Sequence, residues 1–110
     1  MAVPAAEHVV VQVTASGKEE AKKIAKRLLD ERKAACVNII DGVSSLFIWQ
    51  GRQEEEQESL LVIKSSASLL PQIVETVKLL HSYDVPEIIA LPVVGGNGDY
   101  LAWIDSGIER

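Results

Sequence analysis

AACVNIIDGVSSLFIWQGRQEEEQESLLVIKS, residues 34–65, reads as a single β-hairpin, and its length decides the fold. Its arms are residues 34–50 and 52–65. They meet at Gln50-Gly51, where a tight turn calls for the positive φ that glycine adopts without strain. Asp41-Gly42 interrupts the first arm as a bulge or a bend. Each arm of about fifteen residues, at ~3.3 Å per residue, would span roughly 50 Å if straight. A single domain of this length has a radius of gyration of ~13 Å and hence a diameter of ~35 Å. The arms therefore bend, or they overhang the domain and pair with something outside the chain.

Working outward, residues 8–14 (HVVVQVT) are β-branched and predict a strand with Val9, Val11 and Val13 on one face. Ser16 and Glu19 form the S-x-x-E pattern of a capping box. Ala21, Ile24, Ala25, Leu28 and Leu29 then recur at helical spacing opposite Lys22, Lys23, Lys26 and Arg27, an amphipathic helix of about fifteen residues. Beyond the hairpin, a second helix starts at Ser68 with Pro71 in its first turn and buries Leu70, Ile73, Val74, Val77 and Leu80. It ends near His81, ahead of Pro86. Residues 87–94 predict a fourth strand that Pro92 marks as an edge or as locally irregular. Gly95-Gly96-Asn97-Gly98 is a chain reversal without the Lys-Ser/Thr ending of a phosphate loop. Asp99 opens a last helix carrying Leu101, Trp103, Ile104 and Ile108. The order βαββαβ plus a helix, wound as two right-handed βαβ units, predicts an α+β ferredoxin-like sandwich: a four-stranded antiparallel sheet with helices on one face. Residues 1–110 form one domain, with residues 1–7 as a loose N-terminal extension.

Composition narrows the function. Hydrophobic residues make up 47% of the chain, a globular proportion, and the net charge of −5 argues against nucleic acid and suits attraction of cations. The single cysteine, Cys36, excludes an internal disulfide framework and a Cys-rich zinc site. No apolar run reaches the ~20 residues of a membrane span, and the first residues lack a signal-peptide pattern, so the expected compartment is the cytoplasm.

Three uses of a ferredoxin-like sandwich fail on particular residues. The first strand has no aromatic for base stacking, and Leu60, Leu61, Val62 and Ile63 fill the second arm. Thr14-Ala15-Ser16-Gly17 stands where a soft-metal chaperone needs Cys-x-x-Cys. No arginine lies in that loop to clamp an acyl phosphate. Nor does any nucleophile stand with a base, so an enzyme is not expected.

Glu31-Arg32-Lys33-Ala34-Ala35-Cys36-Val37-Asn38, Trp49-Gln50-Gly51, His81-Ser82-Tyr83-Asp84-Val85-Pro86-Glu87-Ile88 and Tyr100-Leu101-Ala102-Trp103 closely resemble, in register, the CutA family of divalent-cation-tolerance proteins. The resemblance implies a trimer similar to the PII signalling proteins, with hairpins pairing between subunits, and a link to copper and other divalent cations. It points to His81 as a ligand for Cu(II) or another divalent ion; the residue-level alternative is a cap on the second helix. Leu80 and Val13 stand where some relatives carry a second histidine and a cysteine, and neither coordinates metal. Glu54, Glu55, Glu56 and Glu58 read as a solvated run, or as a weak cation site repeated by the trimer, with Glu54, Glu56 and Glu58 as its ligands. By resemblance, part of the set Trp49, Lys64, Tyr83, Pro86, Glu87 and Trp103 lines an inter-subunit cleft, with Lys64 and Glu87 as an ion pair open to a ligand. Cys36 reads as a small buried hydrophobe or a metal or redox thiol, and His8 as solvated. The implied function is a non-enzymatic homotrimer for divalent-metal tolerance. The alternatives are a PII-like small-molecule module and a structural trimer anchoring a partner protein, with neither nucleic acid nor membrane as partner.

Overall fold

The computed structural model describes residues 7–109; apart from Glu7, the loose extension expected over residues 1–7 lies outside the described residues. Along the chain run β1 (His8–Ala15), α1 (Lys18–Asp30), β2 (Cys36–Trp49), β3 (Arg52–Ser66), a 3₁₀ turn (Ala67–Leu69), α2 (Leu70–Leu80), β4 (Ile88–Pro92) and α3 (Gly98–Gly107). The four strands form one antiparallel sheet in the order β2-β3-β1-β4. This is the ferredoxin-like topology expected from the element order.

β1 lies inside the sheet, so Val9, Val11, Val13 and Ala15 are buried against the helices, together with Leu61 and Ile63 of β3. Ile24 and Leu28 of α1 and Ile73 and Val77 of α2 close the core from the helix side. Each such side chain contributes ~1.5–3 kcal/mol when fully buried. Leu29, expected in the buried stripe of α1, is instead 41% exposed. Its neighbour Leu28 takes the inward position at 100° per residue.

Both ends of α1 depart from the sequence pattern. The helix begins after Gly17, which places Glu20, not Glu19, at the third helical position. Glu20 Oε2 accepts the Ser16 backbone N–H at 2.9 Å, but Gly17 is the N-cap and no side chain caps the helix, so the expected capping box does not form. At the other end, the Lys33 N–H reaches Leu28 O at 2.8 Å and the Arg32 N–H reaches Leu29 O at 3.1 Å. This is a Schellman closure with Arg32, at φ 55, in the left-handed position that glycine usually holds.

The hairpin both bends and overhangs. Gln50 (φ 52) and Gly51 (φ 78) form a two-residue turn of the I′ kind, with Trp49 paired to Arg52. Ile40 pairs with Leu60 and Val43 with Glu58, so Asp41 and Gly42 together face Ser59 alone. Gly42 supplies φ 70, and Ser59 Oγ donates to Asp41 Oδ1 at 2.7 Å, fixing the bulge. A straight arm of fifteen residues would reach ~50 Å, whereas the whole fold extends 43 × 38 × 22 Å. Only Ser59–Ser66 of β3 pairs with β1; from Glu58 outward β3 pairs with β2 alone.

α2 starts at Leu70, two residues later than expected, because Ala67–Leu69 winds as a 3₁₀ turn whose Ser68 N–H is taken by Ser66 Oγ at 3.3 Å. Pro71 sits in its first turn, where a missing N–H is harmless. β4 is shorter than expected and forms a sheet edge, which accommodates Pro92. Asn97 Oδ1 accepts the Asp99 N–H at 3.0 Å to start α3, which buries Ile104.

Candidate functional site

The root of the overhanging hairpin, the start of α1 and the end of α2 meet at His81. The His81 N–H closes α2 on Val77 O at 2.9 Å. Its ring is fully enclosed, with 0% of the side chain exposed. Nε2 stands 2.7 Å from the Thr14 carbonyl, and Nδ1 accepts the Tyr83 backbone N–H at 3.0 Å. A carbonyl only accepts and an amide N–H only donates. These partners therefore define a neutral imidazole with its proton on Nε2. Neither nitrogen keeps a free lone pair for a cation, so within the chain His81 acts as a cap and a buttress.

Glu20 and Glu58 flank this ring. Burial acts to raise the Glu20 carboxyl, but hydrogen bonds from the Ser16 N–H and from Ser82 outweigh it and hold the pKa below the ordinary value. Glu20 Oε1 accepts the Ser82 N–H at 2.8 Å. The Tyr83 ring leans on His81 at 4.7 Å between centroids, and its hydroxyl donates to Glu58 Oε2 at 3.1 Å. Burial, followed by the hydrogen bond and charge of Glu58, pushes the Tyr83 phenol up to about 12.

This contact separates Glu58 from the carboxylate run. Glu58 is 7% exposed, whereas Glu54, Glu55 and Glu56 are open to solvent on the overhang, opposite Phe47, Leu46 and Ser45. A uniformly solvated run is thus corrected to three wet carboxylates and one engaged by Tyr83. Among the described residues no three His, Cys, Asp or Glu side chains converge as a metal site.

A second constellation lies on the sheet face away from α1 and α2. Lys64 pairs across with Cys36 on β2 and Val10 on β1, and its Nζ donates to Asn38 Oδ1 and lies 3.9 Å from Cys36 Sγ. Within the chain no ion pair joins Lys64 to Glu87 among the described residues; Glu87 lies exposed just before β4. Cys36 is only half buried. Burial and the adjacent Cys36 thiol push the Tyr100 phenol upward, and Tyr100 stacks on Trp103 at 5.5 Å. Trp103 is 50% exposed and Trp49, at the hairpin tip, 58%; Pro86 is half buried beside Glu87. Tyr83 belongs to the His81 cluster, so the six cleft residues divide among the hairpin tip, its root, the Lys64 face and the turn before β4. His8, expected to be solvated, is buried and bonded through Nε2 to Asp105 at 2.9 Å.

Sequence reading missed Glu20, Asn38 and Tyr100, because each meets a partner distant in sequence, Ser82, Lys64 and Cys36 respectively. It also missed how apolar this second face is. Val10, Ile40, Leu60, Val62, Ile89 and Leu91 share it, with Ile40, Ile89 and Leu91 about half exposed. A signal existed: Ile88-Ile89-Ala90-Leu91 is apolar at every position, the pattern of a strand covered on both faces.

Comparison with known proteins bears on these surfaces. The family described as "CutA1 divalent ion tolerance protein" matches residues 9–107. The divalent-cation tolerance protein CutA of Thermus thermophilus is 50% identical over 95 residues, spanning 86% of this chain and 92% of that protein. The crystal structure of CutA1 from Oryza sativa superposes with a TM-score of 0.92 at 43% identity, covering 96% of this chain and 97% of that one. A structure from Archaeoglobus fulgidus, titled a periplasmic divalent cation tolerance protein CutA, superposes at 0.90 with 39% identity over 93% of this chain and 99% of that one. With the matched segment spanning nearly every described element, the chain belongs to the CutA divalent-ion tolerance family.

Proposed function

We propose that this protein is a non-enzymatic homotrimer that serves divalent-cation tolerance in the cytoplasm, holding copper(II) or another divalent cation weakly at sites completed between subunits. The observation that carries the assembly is the second sheet face. Ile40, Ile89 and Leu91 lie half exposed there, beside an overhang whose Leu46, Phe47, Ile48 and Trp49 are also exposed. An apolar face and an unpaired strand edge of this size favour burial against further copies. The cation reading rests on family membership and on the chemistry of Glu54 and Glu56, hard oxygen donors on the solvated overhang. Since no three donors converge within one chain among the described residues, such a site needs carboxylates from more than one copy. No helix among the described residues is long and apolar enough to cross a membrane.

One observation favours a second reading, a PII-like module for a small anion. Among the described residues the Lys64 ammonium has only neutral partners, Asn38 and Cys36, so covering that face would leave a buried cation needing a counter-charge. A thermal-shift screen of chelator-treated protein separates these readings. A ligand at 100 times its Kd adds ~2.7 kcal/mol of stability. The expected result is a shift with divalent cations that Glu54→Gln with Glu56→Gln removes. A shift with small carboxylates or phosphates alone selects the second reading, and no shift with either leaves a scaffolding trimer. Sedimentation tests the assembly: a folded monomer at micromolar concentration overturns it. Cell fractionation tests the compartment.

A further inference from the structure

The chain has two asparagines, Asn38 and Asn97, and only Asn97 is followed by glycine. Asn97 is exposed, and its Oδ1 accepts the Asp99 N–H at 3.0 Å as the N-cap of α3. Gly98 is the first helical residue, so its N–H has no acceptor within the helix. A Cβ added at Gly98 would meet nothing within 4 Å, and its φ lies outside the left-handed region. Neither packing nor turn geometry therefore calls for glycine at position 98. What glycine does supply is an unshielded backbone nitrogen next to a side-chain amide.

We propose that Asn97-Gly98 is a site of spontaneous covalent modification, where the chain deamidates through a succinimide and returns as aspartate or isoaspartate at position 97. The Gly98 nitrogen gives up its proton and bonds to Asn97 Cγ. The bond from Cγ to the side-chain amino group breaks, and ammonia leaves with that proton. Water then opens the ring at either of its carbonyls, so ammonia is lost and water gained with no oxidant or cofactor. The positive end of the helix dipole stabilises the nitrogen anion, while the Asp99 carboxylate in the same turn opposes it. The cap bond fixes the Asn97 side chain on the Asp99 N–H, so the reaction waits on opening of that first turn. Asp41-Gly42 has a related spacing, but the hydrogen bond from Ser59 holds the Asp41 carboxyl below its ordinary range, and an ionised carboxylate offers no leaving group. The two products act differently on α3. Aspartate caps as well as asparagine, and its charge suits a helix start. Isoaspartate puts an extra methylene into the main chain and displaces the carbonyl that accepts the Leu101 N–H at 3.0 Å. That loosens the turn holding Tyr100 against Cys36. The chemistry uses residues 97 and 98 and water alone, so it is independent of the assembly and of the cation reading.

Incubation of the full chain in warm, mildly alkaline buffer, followed by intact mass and peptide mapping, tests this. The expected result is a slow gain equal to the replacement of NH2 by OH, mapped to residue 97. Isoaspartate in the same peptide is read by methyl transfer from S-adenosylmethionine with a protein isoaspartyl methyltransferase. Gly98→Ala should slow the gain at least tenfold, because a Cβ hinders the attack, while circular dichroism shows the same fold. Asn38, followed by β-branched Ile39, is the internal control and should stay intact. Chromatography resolves the two products. Hydrogen exchange at the Leu101 amide should be at least tenfold faster in the isoaspartate fraction and unchanged in Asn97→Asp. No gain at residue 97 over a time in which the urea-unfolded chain converts overturns the proposal, since the cap then stays shut. A gain that keeps its rate in Gly98→Ala overturns it as well. An isoaspartate fraction whose Leu101 amide exchanges as in fresh protein overturns the effect assigned to α3.

Discussion

At the scale of single residues, two side chains sit where another residue type would be more stable or where a deletion would expose a cost. Arg32 holds φ 55 at the end of α1, a region that costs a residue with a Cβ ~1–2 kcal/mol. Glycine avoids that cost but loses more chain entropy on folding, so Arg32→Gly should stabilise by about 0.5–1 kcal/mol, read as a higher urea midpoint. Tyr83 is the opposite case. Tyr83→Phe removes the hydroxyl from buried Glu58 and should cost about 1–3 kcal/mol in the same measurement. Its pH signature follows from the raised phenol. Unfolded tyrosine ionises near ~10, the folded group at about 12. Between those values the unfolded chain has lost a proton that the folded chain keeps, so stability falls as pH rises through that window. The Tyr83→Phe variant should lack this part of the alkaline slope.

Among elements, the hairpin was the most legible and the reason is local. Gly51 and Gly42 mark its turn and its bulge, and both adopt the positive φ that their type permits. Gly42→Ala should destabilise by about 1–2 kcal/mol, because φ 70 brings a Cβ against the following carbonyl while nothing else crowds that position. Helix α1 was legible in its stripe but not at its ends. Ser16-x-x-Glu19 matched a capping box by spacing, yet Gly17 sets the first turn and gives Glu20 the reach to Ser16. His81 shows the same limit on the site. Its neighbourhood could be read as a ligand set, but whether a nitrogen is free depends on Thr14 and Tyr83, one of them 67 positions away. The docking of the α2 end on β1, which brings His81 to Thr14, is a global property that local patterning does not encode, whereas the Lys64–Asn38 contact follows from the hairpin turn and its bulge.

For the whole molecule, one sheet has two different faces. The helices cover one, and the other presents half-exposed Ile40, Ile89 and Leu91. Placing a charge there should act on assembly more than on folding. Ile89→Lys is expected to lower the sedimenting mass toward that of one chain while the circular dichroism stays folded. An unchanged mass would remove this face from the interface.

The two-residue turn at Gln50-Gly51 carries a consequence for how the chain folds. β2 and β3 are contiguous, and such a hairpin closes in ~1–10 μs. β1 is made first at the ribosome, yet its partners are Ser59–Ser66 of β3 and Ile88–Pro92 of β4, far along the chain. The earliest strand must therefore wait for the latest before the sheet is complete. Formation of the β1–β4 pair, which closes a long loop, is expected to be slower than closure of the hairpin. During that wait the nascent hairpin holds Leu46, Phe47 and Ile48 in the open, and the neighbouring glutamates act as gatekeepers against premature strand pairing.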